Sequence, residues 1–310
     1  MGILSGALLI GMIGVVKKWW TKDTNLDIKP VLSLWRLRNI CQFDHIALPN
    51  NYVVKAWSDE YQADVVLKIG PKHIIDQELQ ALNYFKGDSC VAVLKSDATL
   101  FHDRTALLLA CIKPGTSLKD LYLDGQEDAA LNVFVETIQK LHTAPMTEQE
   151  QQQYAFIPTI AQKLTSLDTF QSNNQRLMNL VSQAQVLKNQ LLATQEVPYF
   201  LHGDLHHENI LRHHDDWVMI DPQGLIGELS YEVGAFMRNP MFVLLDDSHL
   251  IQVLENRFEF ISRGLQLDKQ RIIEWSFVQA VLAASYCHDQ KACDYFIAVA
   301  ESLTMFLENF

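Results

Sequence analysis

The sequence contains little cysteine and little positive charge. Its five cysteines, in 310 residues, never form a Cys-x-x-Cys pair, which argues against both a zinc ribbon and a disulfide framework. Lysine and arginine number 25 against 37 aspartates and glutamates, for a formal net charge of -12. Because nucleic-acid affinity comes largely from clustered basic residues, we expect no nucleic-acid partner. The composition favours a chain in a reducing cytoplasm that binds small molecules, cationic ones above all.

Long uncharged apolar runs are also scarce, and the one that stands out opens the chain as "MGILSGALLIGMIGVVKKWW". A membrane-spanning helix needs about 17 to 25 apolar residues, so this run is at the short limit. Its final Lys-Lys-Trp-Trp suits an anchor at a membrane interface, whereas a signal peptide carries its positive charge before the apolar stretch. We expect residues 1–28 to be an extension, with membrane contact through residues 1–20 as one interpretation and a helix packed on the body as another.

The remaining sequence divides into a strand-rich part and a helical part. Runs from Tyr52 to Trp57 and from Ala63 to Ile69 predict a hairpin, "IIDQELQALNYF" has helical spacing, and "CVAVLKSD" and "RTALLLACI" predict two more strands. A Lys-Pro-Gly sequence at 113–115 is the candidate boundary. The chain beyond it is mainly helical, apart from a short β segment near residues 199–224. This pattern predicts an α+β protein with a sheet lobe at 29–112 and a helical lobe at 113–310.

Five residues in chain order match the requirements of phosphoryl transfer. That reaction needs a carboxylate near the acceptor hydroxyl, metal ligands that bridge the phosphates, and a lysine that holds them. In "FLHGDLHHENIL", Asp204 and Asn209 stand five positions apart, and Asp221 ends the apolar run of "WVMID". Upstream, Lys68 and Glu78 have the strand-to-helix separation of a phosphate-holding ion pair. Each feature alone is common, but their order and spacing together predict a kinase.

The histidines near this motif offer a rival interpretation, a transition-metal hydrolase. His202, His206, His207, His213 and His214 lie close together in the sequence among acidic residues, and such density can ligate zinc. However, "HHEN" is not the His-Glu-x-x-His motif, and alternation along a strand would direct these side chains to opposite faces. The sequence therefore favours the kinase.

The same motifs carry a resemblance to a known family. "HGDLHHENIL" followed by "IDPQGLIGELSYEVGAFMRNP" resembles the aminoglycoside and hydroxyurea phosphotransferases, and within them the streptomycin 6-phosphotransferase-like branch. "LLLACIKPGTSL" and "IQKLHTAP" match its hinge strand and a helix that ends in Leu-His. The likeness covers roughly Pro30 to the C-terminus. It implies a two-lobed protein-kinase-like fold, with ATP and Mg²⁺ bound in the cleft between a small sheet lobe and a mainly helical lobe.

Carried over by position, the resemblance assigns roles to the motif residues. It implies that Asp204 is the catalytic base, that Asn209 and Asp221 are magnesium ligands, and that Lys68 with Glu78 holds the nucleotide phosphates.

Two further residues are expected to support the loop. The resemblance implies that His202 is structural and that Glu232, in "SYEVG", caps or braces the loop.

The chain departs from the kinase pattern in "ALPNNYVVKAW", which has no glycine where kinases cover the phosphates. Asn50 and Asn51 are the residues there that best tolerate left-handed backbone.

The acceptor is expected to be a small cation with a hydroxyl group, an aminoglycoside-like antibiotic first of all. Asp289, and after it Asp294, are the candidate substrate contacts, because apolar helical spacing breaks at His288-Asp289 where the related phosphotransferases carry an acidic pair. Both could also be ordinary helix-end charges. Two alternatives share the motifs: a small-metabolite kinase of the same fold and a catalytically silent nucleotide-binding scaffold.

Overall fold

The computed structural model describes residues 26–42, 51–87, 89–246 and 248–307. These residues fall into two compact units. The first runs to Leu79 and also takes in Ala92–Cys111, and the second comprises Gln80–Val91 and the described chain from Ile112 onward.

The first unit is built on a five-stranded antiparallel sheet, in the order β1-β2-β3-β5-β4. Its elements are α1 (Lys29–Leu34), β1 (Leu37–Gln42), β2 (Tyr52–Ser58), β3 (Ala63–Pro71), α2 (Lys72–Tyr84), β4 (Val93–Asp97) and β5 (Arg104–Ala110), with the last residues of α2 belonging to the second unit. The predicted hairpin is confirmed, because β2 pairs with β3 from Tyr52↔Ile69 to Ser58↔Ala63. The helix predicted from "IIDQELQALNYF" is confirmed as α2.

One face of this sheet is apolar and covered by α1. Because successive strand residues point to opposite faces, Leu67 and Ile69 share a face that Lys68 does not. The buried residues of the apolar face and α1 form one core: Val31, Trp35, Val54, Ala56, Val65, Leu67, Ile69, Ala106 and Leu108. Lys68 therefore projects from the other face of β3, where it meets Glu78 of α2.

The second unit is mainly helical, with two small sheets of order β6-β8-β9 and β10-β7. Its elements are β6 (Pro114–Ser117), α3 (Leu118–Leu123), α4 (Glu127–Leu141), α5 (Glu148–Gln153), α6 (Ile160–Leu164), α7 (Ser166–Thr169), α8 (Gln175–Ala193), β7 (Tyr199–Leu201), β8 (Ile210–His213), β9 (Asp216–Met219), β10 (Leu225–Gly227), α9 (Leu229–Glu232), α10 (Gly234–Met237), α11 (Leu250–Leu265), α12 (Lys269–Tyr286) and α13 (Gln290–Leu303). Short 3-10 turns occur at His207–Asn209, Leu244–Asp246 and Thr304–Phe306.

Helix α12 lies at the centre of the second unit's core. Its buried side chains, among them Trp275, Phe277 and Val281, point in every direction around the helix, which is the pattern of a helix enclosed on all sides. It packs against α8, α10, α11 and α13. The neighbours of α12 therefore include α10, the short helix that follows Glu232 in the sequence.

Within the described residues, no helix is both long enough and apolar enough to cross a membrane. The apolar run at residues 1–20, for which an anchor is one interpretation, lies outside the described part of the chain.

Candidate active site

The loop that carries Asp204 follows β7 and begins with a glycine that cannot be replaced without strain. Gly203 has φ +81°, a left-handed conformation that glycine adopts freely and other residues disfavour. A Cβ on Gly203 would lie 2.8 Å from Cδ1 of Leu225 in β10. Glycine at this position therefore lets the chain turn from β7 towards Asp204 without strain.

Glu232 fixes the start of the same loop. Its carboxylate accepts hydrogen bonds from the backbone N–H groups of His202, at 2.7 Å, and Gly203, at 2.9 Å. Nε2 of His142 lies 3.3 Å from the same carboxylate, and both side chains are almost fully buried. Burial by itself would raise the pKa of Glu232, but the His142 ring, His202 and the N–H donors together lower it below its usual value. Glu232 is thus a buried carboxylate that links α9 to the loop.

Both ring nitrogens of His202 are engaged within the protein. Nε2 lies 2.9 Å from the carbonyl oxygen of Ile220 and so donates to it, while Nδ1 accepts from the backbone N–H of Asp204 at 3.2 Å. Burial lowers the pKa of this fully buried ring, so the imidazole is neutral. A ring with both nitrogens occupied cannot ligate a metal. Among the described residues no group of three or more His, Cys, Asp or Glu side chains could hold a metal ion.

Both oxygens of the Asp204 carboxylate are contacted by donors. Oδ1 accepts from Nη2 of Arg238 at 2.6 Å, and Oδ2 accepts from Nε2 of Gln223 at 3.2 Å. Nε2 of His206 lies 3.9 Å from Oδ2. Burial by itself would raise the pKa of Asp204, but the charge of Arg238, aided by His206 and Lys163, lowers it below its usual value. Asp204 is therefore held ionised and oriented.

A lysine extends this group of donors. Nζ of Lys163, in α6, donates to Oε1 of Gln223, whose amide nitrogen in turn contacts Asp204. Burial lowers the pKa of Lys163 to about 8, with the charge of Asp204 opposing the shift and that of Arg238 adding to it. Two basic side chains therefore lie near Asp204: Lys163 of α6 and Arg238, which follows α10.

Asn209 and Asp221 stand at the open end of the β8–β9 hairpin, the first directly before β8 and the second two residues after β9. The register pairs Ile210 with Met219, so the residues just outside this pair meet at the open end, where the N–H of Ile220 donates to the carbonyl of Asn209 at 2.9 Å. The Asn209 side-chain nitrogen donates to the backbone carbonyl of Asp204 at 2.9 Å, which fixes the amide so that its oxygen is a metal-ligand candidate. Asp221 itself has φ +58°. Amide and carboxylate oxygens are ligands that suit a hard cation such as Mg²⁺.

Lys68 and Glu78 form a buried ion pair inside the first unit. Nζ of Lys68 lies 2.6 Å from Oε2 of Glu78, and the two side chains are 5% and 3% exposed. The β3 strand supplies the lysine and α2 supplies the glutamate. The contact with Glu78 holds the ammonium group of Lys68 in one position.

The acceptor candidates have local partners. Asp289 is the N-cap of α13, where its Oδ1 accepts from the Ala292 N–H at 2.9 Å. Asp294 is exposed and accepts a hydrogen bond from the Gln290 side chain at 2.9 Å.

Of the two asparagines in the glycine-poor loop, Asn50 lies outside the described residues.

Sequence reasoning missed Arg238, Gln223 and Lys163 as neighbours of Asp204. Gln223 and Arg238 stand in the segment "IDPQGLIGELSYEVGAFMRNP", but no spacing rule connects them with a residue 19 or 34 positions earlier. The one available signal for Arg238 is a basic residue directly after an otherwise apolar helix, "GAFM".

The fold is similar to that of solved small-molecule kinases. The aminoglycoside phosphotransferase APH(4)-Ia gives a TM-score of 0.64 at 13% identity, over 89% of this chain and 97% of that one. An ethanolamine kinase of Plasmodium vivax gives 0.60 at 14% identity, over 98% of this chain and 97% of that one. Identities this low show the fold alone, and they confirm the expected α+β, protein-kinase-like fold.

Sequence comparison narrows this class to one family. The family model described as aminoglycoside/hydroxyurea antibiotic resistance kinase matches residues 51–290. Streptomycin 3''-kinase of Klebsiella pneumoniae is 27% identical over 235 residues, which are 73% of this chain and 81% of the relative. Streptomycin 6-kinase of Streptomyces griseus is 28% identical over 80 residues, 26% of each chain. The chain belongs to the aminoglycoside/hydroxyurea antibiotic resistance kinase family and is an ATP-dependent phosphotransferase with a hydroxyl acceptor.

Proposed function

We propose that this kinase phosphorylates a hydroxyl group of an aminoglycoside antibiotic of the streptomycin type and thereby confers resistance to it. The observation that carries the proposal is the ionised Asp204, oriented by Arg238 and hydrogen-bonded through its backbone carbonyl to Asn209, in a chain whose relatives include streptomycin kinases. An acceptor with ammonium groups also suits the formal net charge of -12.

In this proposal Asp204 accepts a hydrogen bond from the acceptor hydroxyl and later its proton. The depressed pKa of Asp204 suits a carboxylate that first orients the hydroxyl, because an ionised group is always ready to accept. Glu232 and His202 hold the backbone of the loop so that the Asp204 side chain has one position.

The nucleotide and its metal are assigned to the other motif residues. Asn209 and Asp221 would hold Mg²⁺, which neutralises charge on the phosphates when it is bound. Lys68, positioned by Glu78, would hold the phosphates of ATP. Residues 29–112 would cover the nucleotide, and residues 113–310 would supply the catalytic groups and, through Asp289 and Asp294, contacts to the acceptor. The consumption of ATP favours the cytoplasm as the compartment in which the enzyme acts.

Acceptor profiling tests the proposal directly. The purified chain is incubated with MgATP and a library of aminoglycosides, choline, ethanolamine and hydroxyurea, and ADP release and product mass are measured. We expect streptomycin-type compounds to give the highest kcat/KM and Asp204→Ala to lower kcat by about 10²- to 10⁴-fold, with the Kd for ATP changed only a few-fold. Asp215→Ala, in the exposed β8–β9 turn, is the matched control.

Three other outcomes would contradict parts of this assignment. Preference for choline or ethanolamine would make the chain a small-metabolite kinase. ATP binding without transfer to any acceptor would favour the silent scaffold. Normal turnover by Asp204→Ala, with the fold verified by thermal melting, would remove Asp204 from the reaction.

The metal assignment has its own test. Because Asn209 and Asp221 offer oxygen ligands, ATP should raise the melting temperature far more with Mg²⁺ than with EDTA, and Asp221→Ala should abolish that difference. Equal shifts in wild-type protein under both conditions would contradict the assignment and favour a scaffold.

A further inference from the structure

Among the described side chains that contact the candidate catalytic carboxylate, Arg238 lies closest to it. Its Nη2 lies 2.6 Å from Oδ1 of Asp204, and the arginine side chain is 14% exposed while that of Asp204 is 23% exposed. A guanidinium group is planar and always charged. The contact therefore sets both the charge and the rotamer of the carboxylate.

The other two nitrogens of this guanidinium have no hydrogen-bond partner in the described part of the chain. Nε and Nη1 of Arg238 are buried, and neither makes a hydrogen bond to any of the described residues. Buried donors of a charged group are rarely left unpaired, because the loss of hydration is not compensated. Since the guanidinium is rigid and planar, any group that binds these nitrogens lies beside Asp204. The arrangement suits an anionic oxygen, for which arginine has a matching geometry.

The backbone on both sides of Arg238 is held in place from two helices. Arg257 of α11, fully buried, donates through Nη1 to the carbonyls of Phe236 at 3.2 Å and Asn239 at 2.7 Å. The hydroxyl of Tyr295, in α13, donates to the carbonyls of Arg238 at 3.0 Å and Pro240 at 3.1 Å. Such bracing fixes the guanidinium before any substrate binds, as preorganised transition-state stabilisation requires.

We propose that Arg238 is a further catalytic residue, which holds Asp204 through Nη2 and donates from Nε and Nη1 to oxygens of the transferring phosphoryl group. This inference rests on the proposed function of Asp204. In the reaction the bond between the γ-phosphorus and the bridging oxygen of ATP breaks, and a bond from that phosphorus to the acceptor oxygen forms. ADP is the leaving group, the hydroxyl proton passes to Asp204, and Arg238 stabilises the charge on the phosphoryl oxygens.

The test compares Arg238→Met and Arg238→Lys with two controls. Arg263→Met removes an arginine that is 81% exposed, and Tyr295→Phe loosens the Arg238 backbone without removing the guanidinium. We expect Arg238→Met to lower kcat by about 10²- to 10³-fold, the range for the loss of one preorganised donor, with the KM for ATP within threefold. Arg238→Lys should recover part of that loss. Arg263→Met should match wild type, and Tyr295→Phe should lower the melting temperature and lower kcat by less than Arg238→Met does, because the guanidinium is still present.

A second measurement does not depend on the acceptor. MgADP with aluminium fluoride mimics the transferring phosphoryl group, so we expect it to raise the melting temperature of wild type beyond the shift with MgADP alone. Arg238→Met should lose this increment and retain the MgADP shift.

The inference is overturned if Arg238→Met keeps the increment, if its kcat stays within threefold of wild type, or if Tyr295→Phe loses as much kcat. Failure of the proposed function looks different, because it is seen in wild type itself. If wild type prefers an acceptor of another class, the Arg238 variants are compared with that acceptor; if it neither transfers phosphate to any acceptor nor hydrolyses MgATP, the inference falls with the proposed function.

Discussion

Replacement of Glu232 by alanine should destabilise the second unit severely. The substitution leaves two buried N–H groups, those of His202 and Gly203, without their acceptor. A hydrogen bond to a charged group contributes about 1.5 to 3 kcal/mol, so the loss of both predicts about 3 to 6 kcal/mol in the free energy of unfolding. Glu232→Gln retains one acceptor oxygen and should lose about half as much.

The assay is denaturant unfolding followed by far-UV circular dichroism, with thermal melting in parallel. At about 2 °C or more per kcal/mol for a domain of 150 to 250 residues, Glu232→Ala should melt at least about 6 °C below wild type. Glu301→Ala is the matched control, because Glu301 forms an exposed ion pair with Arg176 and such pairs contribute about 0 to 1 kcal/mol. A loss below about 1 kcal/mol for Glu232→Ala would refute the bracing role.

The pH dependence gives an independent check. The folded-state pKa of Glu232 is depressed, so its contribution is complete above the unfolded value of about 4.3 and is lost as the pH falls through the folded pKa. The stability difference between wild type and Glu232→Gln should therefore narrow in acid. A difference that grew as the pH fell would contradict the sign of this shift.

Two further substitutions test the geometry of the site. Gly203→Ala should abolish activity and lower the melting temperature, because the new Cβ meets Leu225 and the residue has positive φ; normal activity and stability would show that the loop relaxes at no cost. Asp289→Asn should raise the acceptor KM at least about tenfold while the KM for ATP stays constant, since a carboxylate that binds an ammonium group loses its charge. An unchanged acceptor KM would leave Asp289 with only its role as the N-cap of α13.

The sequence predicted the elements whose signals are local. The β2–β3 hairpin and α2 follow from periodicity over a few residues, and these elements bring Lys68 to Glu78. The role of Glu232 in holding the loop was predicted from the family resemblance. No local rule pairs a glutamate in α9 with backbone N–H groups some thirty positions earlier in the chain.

What the sequence did not predict depends on long-range packing. The contact between Arg238 and Asp204 joins residues 34 positions apart, and it exists because α11 and α13 hold the arginine's backbone. An aspartate before a helical run is a common helix start, so the role of Asp289 as an N-cap can be predicted from the sequence.

The bracing of Arg238 by Tyr295 has a consequence for synthesis of the chain. A ribosome releases the Asp204 loop well before it has made α13, the helix that carries Tyr295. Domains generally acquire their structure as units during synthesis, so a nascent chain with every catalytic motif already translated still lacks the contacts that fix Arg238. The contacts that hold the backbone of Arg238 therefore form only after translation has passed α13, well after the Asp204 loop has left the ribosome.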